Sequence, residues 1–229
     1  MDLILADLPF GMTQNEWDSV IPLQPLFEQY QRVIKDHGDV LLFGMGMFGA
    51  QLMMSAPKQM PYRYDWIWQK PMPVGFLNAK RMPLRIHEHI CVFYKKLPTY
   101  NPQMRKGFKP YYKTWTKSRG GSNYGTLRDR SAYESKDGSR YPIDVINFSN
   151  ANHSNAHHPM QRPVDLLEYL IKTYTDEGMT VLDNTMGSGS TGVAAVNLKR
   201  NFIGMELDDK YFEIAKERIE KADSSTLAG

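Results

Sequence analysis

The stretch "VLDNTMGSGSTG", residues 181–192, places Gly187, Gly189 and Gly192 in the spacing G-x-G-x-x-G. Thr180 to Asp183 read as a strand, and Thr191 to Leu198 read as a helix. Glycines between a strand and a helix let the backbone come close to a ligand, and the helix start offers free amides. A second strand, Phe202 to Glu206, ends on an acid of the kind that accepts hydrogen bonds from ribose hydroxyls. A tight turn without a ligand would need similar glycines, so the loop alone is not decisive. After Glu206 only one helix, 209–221, and a short tail remain. A dinucleotide would need a second binding half, supplied earlier in the chain in permuted order. A ligand with one nucleoside needs only this half. S-adenosylmethionine is such a ligand, and Asp183 would face its ammonium group.

Outward from this loop, strands and helices alternate. Residues 3–6 read as a strand, Leu26, Tyr30, Val33 and Ile34 share one helical face, and His37-Gly38 ends that helix. Val40 to Phe43, Tyr64 to Trp68 and Glu88 to Tyr94 read as strands, and a methionine-rich helix covers 46–55. The pattern implies an α/β fold with a doubly wound, mostly parallel sheet covered on both faces. The chain of 229 residues has a single cysteine, Cys91, which excludes an internal disulfide and suits a reducing, cytoplasmic setting. No apolar run is long enough to span a membrane, and no secretory signal pattern opens the chain.

The stretch "ILADLPF", residues 4–10, sets Asp7 at the mouth of a buried strand. An unpaired buried charge is costly, so such a carboxylate needs a purpose. Ligands of doubly wound sheets lie beyond the carboxyl ends of the strands. If the strands ending in Asp7 and Asp183 are neighbours, Asp7 faces the ligand of the glycine loop.

Residues 97–141 break the alternation with Pro98, Pro102, Pro110 and Gly120-Gly121. This segment is basic and carries interleaved aromatics, among them Phe108, Tyr111, Tyr112 and Trp115. Cations track phosphates and aromatics stack on bases, so a nucleic-acid surface fits this composition better than a solvated insertion. Lys80, Arg81, Arg105, Lys106, Lys109, Lys113, Trp115, Lys117 and Arg119 are the candidate DNA contacts.

With these motifs in place, the chain resembles the amino-group DNA methyltransferases of the permuted beta class, closest to short phage and prophage adenine-N6 enzymes. "DLPF" (7–10) matches the catalytic motif, "HPMQRPVDLLEYLI" (158–171) the segment over the methionine part of the cofactor, and "DNTMGSGST" (183–191) the glycine loop. "GMELDDKYFEIAKERI" (204–219) matches the ribose-binding strand and its helix. The resemblance implies a catalytic half at 1–96, a target-recognition insertion at 97–141 and a cofactor half at 142–229. It implies S-adenosylmethionine as methyl donor, with His158, Gln161, Arg162, Asp183, Thr185, Gly187, Ser188, Gly189, Ser190, Thr191, Glu206 and Leu207 around it. It also implies double-stranded DNA as partner. Asp7 and the Leu8 carbonyl would accept the two N–H bonds of the target amino group, Pro9 would stiffen the turn, and Phe10 would stack on a flipped base.

Several residues depart from the family pattern: Leu8 replaces the first proline, Phe10 a tyrosine, and Arg162 a lysine. Relatives also carry a further strand before the catalytic one. Without it, the Phe202–Glu206 strand would lie at an open edge, inviting self-association or a partner subunit and weakening cofactor binding. Cytosine-N4 enzymes share the architecture but usually begin the catalytic motif with serine, so Asp7 favours adenine. A methylase-derived DNA-binding subunit without activity, or a nicotinamide oxidoreductase, would use parts of the same pattern. His87, Glu88 and His89 lack a well-spaced further ligand, and His153, His157 and His158 fit a cofactor-side loop better than a metal site. Cys91, Trp66 and Trp68 read as core residues.

Overall fold

Three short apolar runs form the centre of the main sheet because they are buried on both sides, and a fourth borders them at its edge. In the computed structural model, which describes residues 1–11, 19–113, 133–149 and 161–227, these are β1 (Leu3–Ala6), β2 (Asp39–Gly44), β8 (Thr180–Asp183) and β9 (Asn201–Gly204). Between them in the chain lie α1 (Leu23–Val33), α2 (Gly46–Ser55), β3 (Tyr62–Val74), β4 (Arg85–Tyr94), β5 (Tyr111–Lys113), β6 (Tyr133–Ser135), β7 (Val145–Asn147) and α3 (Val164–Tyr174). Helix α4 (Ser190–Asn197) follows β8, and α5 (Asp209–Leu227) follows β9.

The main sheet has seven strands in the order β7-β3-β4-β2-β1-β8-β9. β1 pairs in parallel with β2 and with β8, and β8 with β9. β4 runs antiparallel to both β2 and β3, while β7 is parallel to β3. β4 is therefore the one reversed strand of the sheet. The expected doubly wound, mostly parallel α/β fold is observed. Its central strands are unbroken apolar runs because both faces are covered.

Alternate side chains feed two cores. One face carries Leu5, Leu41, Phe43, Trp66, Trp68 and Ile90 against α3 and α4. The other carries Ile4, Leu42, Cys91 and Phe93 against α1 and α2. Each fully buried Leu or Ile contributes roughly 1.5–3 kcal/mol. Cys91, Trp66 and Trp68 are core residues, as the sequence suggests.

Some boundaries differ from the sequence reading. β3 continues to Val74, well past Trp68, and β9 ends at Gly204 instead of Glu206. The chain turns there because the Met205 amide bonds to the Asp183 carbonyl and the Met186 amide to the Met205 carbonyl. Among the described residues β9 is the last strand of the sheet. Residues Pro102–Ile143 form a second compact unit, apart from Met1–Asn101 and Asp144–Gly229. Within the second unit, β5 pairs with β6, and Arg140 stacks on Tyr111 at 4.0 Å.

Asp39 stands out in the core of the main sheet. It is fully buried, and neither carboxylate oxygen has a hydrogen-bond partner among the described residues. Burial pushes its carboxyl up to about 8. Between the unfolded value, about 3.9, and this one, the folded chain keeps a proton that the unfolded chain has released. Its contribution to stability therefore falls as pH rises through that window, and the loss is complete above it. Asp39→Asn is expected to gain on the parent by up to about 4 kcal/mol between pH 5 and pH 8, at about 1.4 kcal/mol per pH unit. Urea unfolding at the two pH values checks this, and a constant gap would show that Asp39 ionises as freely as in the unfolded chain.

Candidate functional site

β1 and β8 are neighbours, so their carboxyl ends open side by side. Asp7 follows the first and Asp183 ends the second. Thr185 ties them together by donating its hydroxyl to the Asp7 carbonyl at 3.1 Å. The juxtaposition expected from the two motifs is thus present.

Asp7 does not stand alone. Arg162 Nε donates to its Oδ2 and Arg162 Nη2 to its Oδ1, each at 2.8 Å, a bidentate fork. The third arm of the guanidinium, Nη1, lies 2.6 Å from Glu88 Oε2. Glu88 in turn pairs with Lys70. Arg162 lies over the rings of Phe43 at 4.6 Å and Trp68 at 5.4 Å. Two carboxylates and two cations thus balance in a largely buried chain of contacts, the condition under which buried charges are tolerated. Burial raises the Asp7 carboxyl, and the Arg162 charge opposes that rise. Glu88 is held below its ordinary value by Arg162 and Lys70, against the cost of its burial.

Around Asp183 the glycine loop closes. Gly187 and Gly189 have positive φ, 52° and 81°, and Gly189 caps α4. A Cβ on Gly189 would also meet Ala215 Cα at 2.9 Å. A Cβ on Gly192 would meet Ile219 and Phe202, so this third glycine serves close packing of α4 against α5 and β9. Glu206 Oε2 accepts from the Gly187 amide at 2.8 Å, and Oε1 from Leu207 and Asp208 at 2.9 and 3.0 Å. The acid at the end of the motif therefore braces the loop it was expected to serve. Ser188 donates to Gln161 Oε1 at 3.4 Å, and Arg218 bonds to the Ser188 carbonyl. Ser190 Oγ is buried without a partner among the described residues. Asp183 accepts from the Thr185 amide at 3.0 Å and bonds to Thr191, yet burial pushes its carboxyl up to about 7, with Asp7 and Glu206 adding to the rise.

Leu8 is buried, while Pro9 and Phe10 are partly exposed. Phe10 stacks on Phe48, with centroids 4.8 Å apart and planes 29° apart. Leu207 is fully exposed. Lys80 and Arg81 are exposed on the loop between β3 and β4. In the second unit Lys106 and Lys109 are exposed, whereas Arg105 Nε bonds to the Tyr141 carbonyl at 3.0 Å and braces the unit. The backbone of Lys113 lies in β5. His158, Trp115, Lys117 and Arg119 lie outside the described residues, as do His153 and His157. Sequence reading missed Glu88 as a partner of Arg162, and Lys70 as the second partner of Glu88, because they lie on distant strands. It also missed Arg218 and Tyr30, whose hydroxyl donates to Asn184 at 2.6 Å. His89 and Asp65 pair at 2.5 Å, but among the described residues no group of three His, Cys, Asp or Glu side chains could hold a metal.

A family model described as a DNA methylase, of the N6/N4 type, matches residues 1–217. The chain belongs to the N6/N4 DNA methylase family. It is 28% identical to the Type II methyltransferase M.HpaI of Haemophilus parainfluenzae over 237 residues, covering 96% of this chain and 68% of that one. It is 48% identical over 63 residues to M2.DpnII of Streptococcus pneumoniae, where the match covers 28% of this chain and only 24% of the relative. Among solved structures, the M1.HpyAVI-SAM complex superposes with a TM-score of 0.64 at 22% identity, covering 95% of this chain and 88% of that one. The cytosine-N4-specific PvuII DNA methyltransferase gives 0.63 at 14% identity, covering 100% and 86%. These likenesses show the fold. S-adenosylmethionine is the methyl donor of this family. The residues fit that cofactor: Asp183 is a buried carboxylate wanting a cation, Ser190 an unused hydroxyl, and Gly187 has open space where a side chain would stand.

The charge balance yields a test. Arg162→Met strands the Asp7 carboxylate, since Glu88 keeps Lys70, and is expected to cost ~3–5 kcal/mol of stability. Adding Asp7→Asn should return most of that loss in chemical unfolding. A double variant no more stable than Arg162→Met would show that the loss comes from packing on Phe43 and Trp68.

Proposed function

We propose that this methylase transfers a methyl group to the N6 amino group of adenine in double-stranded DNA. The observation that carries the reading is Asp7: a carboxylate, instead of a serine hydroxyl, at the strand end beside the glycine loop. The cofactor supplies an electrophilic methyl carbon on a sulfonium. Asp183 and the glycine loop hold its charged and ribose portions, with Glu206, Ser190 and Gln161 lining the same side.

An adenine amino group is a poor nucleophile because its lone pair is delocalised into the ring. Asp7 and the Leu8 carbonyl accept its two N–H bonds and turn the lone pair away from the ring plane. Arg162 fixes the plane of the Asp7 carboxylate by the two-pronged bond, leaving further lone pairs on each oxygen for the substrate. Burial raises the Asp7 carboxyl, and the Arg162 charge works against that rise in favour of the carboxylate form. The methylated nitrogen carries a surplus proton, and Asp7 is the base at hand to receive it. Phe10, backed by Phe48, offers a stacking surface for a base taken out of the helix.

Mass analysis of nucleosides from DNA incubated with the protein and S-adenosylmethionine is expected to show N6-methyladenine. N4-methylcytosine would replace the adenine reading, and no modified base would favour a DNA-binding subunit. Asp7→Ala is expected to abolish transfer while leaving DNA affinity nearly unchanged in an anisotropy titration.

Cofactor binding should also depend on pH. Asp183 titrates at about 7 in the free protein, and a bound cation favours its charged form. S-adenosylmethionine affinity is expected to fall as pH drops below that value, by up to about tenfold per pH unit if one proton is taken up. Calorimetric titration at pH 6 and 8 measures this, and Asp183→Asn should weaken binding and flatten the profile.

A further inference from the structure

The strand β3 does not stop where regular pairing stops. Gln69 pairs with His87, the register then breaks, and pairing resumes only at Val74 with Arg85. Pro71 and Pro73 lie in that gap and have no amide to donate. Beyond Gln69 the hairpin continues as an arm that closes through the short helical turn Phe76–Asn78. Its apolar side chains face water: Met72 is 63% exposed, Phe76 63%, Leu77 102% and Met82 51%. Single exposed hydrophobics are ordinary, but a cluster on one projection marks a binding surface.

Charge says what the surface meets. From Lys70 to His87 the arm carries Lys70, Lys80, Arg81 and Arg85 and no acidic residue. A second copy of the chain docking arm to arm would bring like charges together, whereas a polyanion would be attracted. Position says where it meets it. β3 points the same way as β1, because each is related to β4 and β2 by the pairings of the sheet. The arm therefore rises from the edge at which Asp7 lies. Its root is joined to Asp7 by contact: Lys70 to Glu88, Glu88 to Arg162, Arg162 to Asp7.

We propose that this arm is a wedge that opens the duplex beside the target base. Phe76 and Leu77 enter the base stack, and Lys80 and Arg81 hold the flanking phosphates. Apolar side chains inserted between base steps unstack them, and cations nearby fix the register on the backbone. The wedge would fill the space that the departing base leaves. The inference rests on the reading of the chain as an enzyme that acts on a base within duplex DNA.

The test uses the full chain and a duplex containing a mapped methylation site. A Phe76→Ser, Leu77→Ser variant is expected to lose roughly tenfold in kcat/KM on the intact duplex, the scale of a lost stacking contact. On the same duplex with the nucleotide opposite the target removed, where less unpairing is needed, it should come close to the parent. A Lys80→Glu, Arg81→Glu variant should lose on both substrates, with the slope of log affinity against log salt reduced by about 0.9 for each phosphate contact removed. Full activity of the serine variant on intact duplex, or an equal loss on both substrates, overturns the wedge while leaving the methylase reading standing. A parent dimer that the serine variant splits, seen by light scattering, overturns it too by showing that the arm meets a second copy. If the parent methylates nothing, anisotropy with a fluorescein-labelled duplex decides: weaker binding by a variant that combines Phe76→Ser, Leu77→Ser, Lys80→Glu and Arg81→Glu supports the arm as a DNA surface, and unchanged binding overturns it.

Discussion

Two hydrogen bonds of 2.8 Å from Arg162 to Asp7 join residues 155 positions apart in the chain and hold the site together. They are affordable because Glu88 and Lys70 complete the charge balance from β4 and the end of the regular part of β3. A lone guanidinium in that position would have drawn water or displaced the strand. With four members present, the carboxylate beside the glycine loop faces an opposing charge, is held in one orientation and is partly shielded from solvent. The sheet order serves this balance: β1, β2 and β8 align the carboxyl ends, and the reversed β4 returns Glu88 to the same edge.

Much of this was legible in the sequence. The alternation of apolar runs gave the sheet, and the glycine spacing located the loop because only glycine tolerates the positive φ at 187 and 189 without strain. Asp7 could be singled out because a carboxylate at the mouth of an apolar strand is costly without a task. That the two strands are neighbours was a condition of the reading and not a deduction from it, and the pairing of β1 with β8 meets it.

What the sequence hid were relationships between distant segments. Arg162 could be matched to a motif, but nothing local shows that it bonds Asp7 instead of reaching outward. Glu88 sat between two histidines, and that pattern drew attention to metal chemistry, while its side chain lies on the opposite face of β4 from both. The length of β3 was missed because Pro71 and Pro73 argue against a strand, and they are tolerated only where the ladder is irregular. Glu206 was expected to wait for a ligand, yet it already braces the turn above it.

The four-membered charge chain also constrains how such a protein can change its target. Asp7, Glu88, Lys70 and Arg162 come from separate elements, and their charges sum to zero. On the proposed adenine reading, exchanging Asp7 for serine would leave an excess positive charge in a poorly hydrated place. A switch in base preference would therefore have to arrive with a second substitution that removes a cation, on a strand far from the base. Substrate choice is in this sense coupled to the internal electrostatics of the sheet, and single-step drift between the two target chemistries is disfavoured by folding before catalysis is ever at stake.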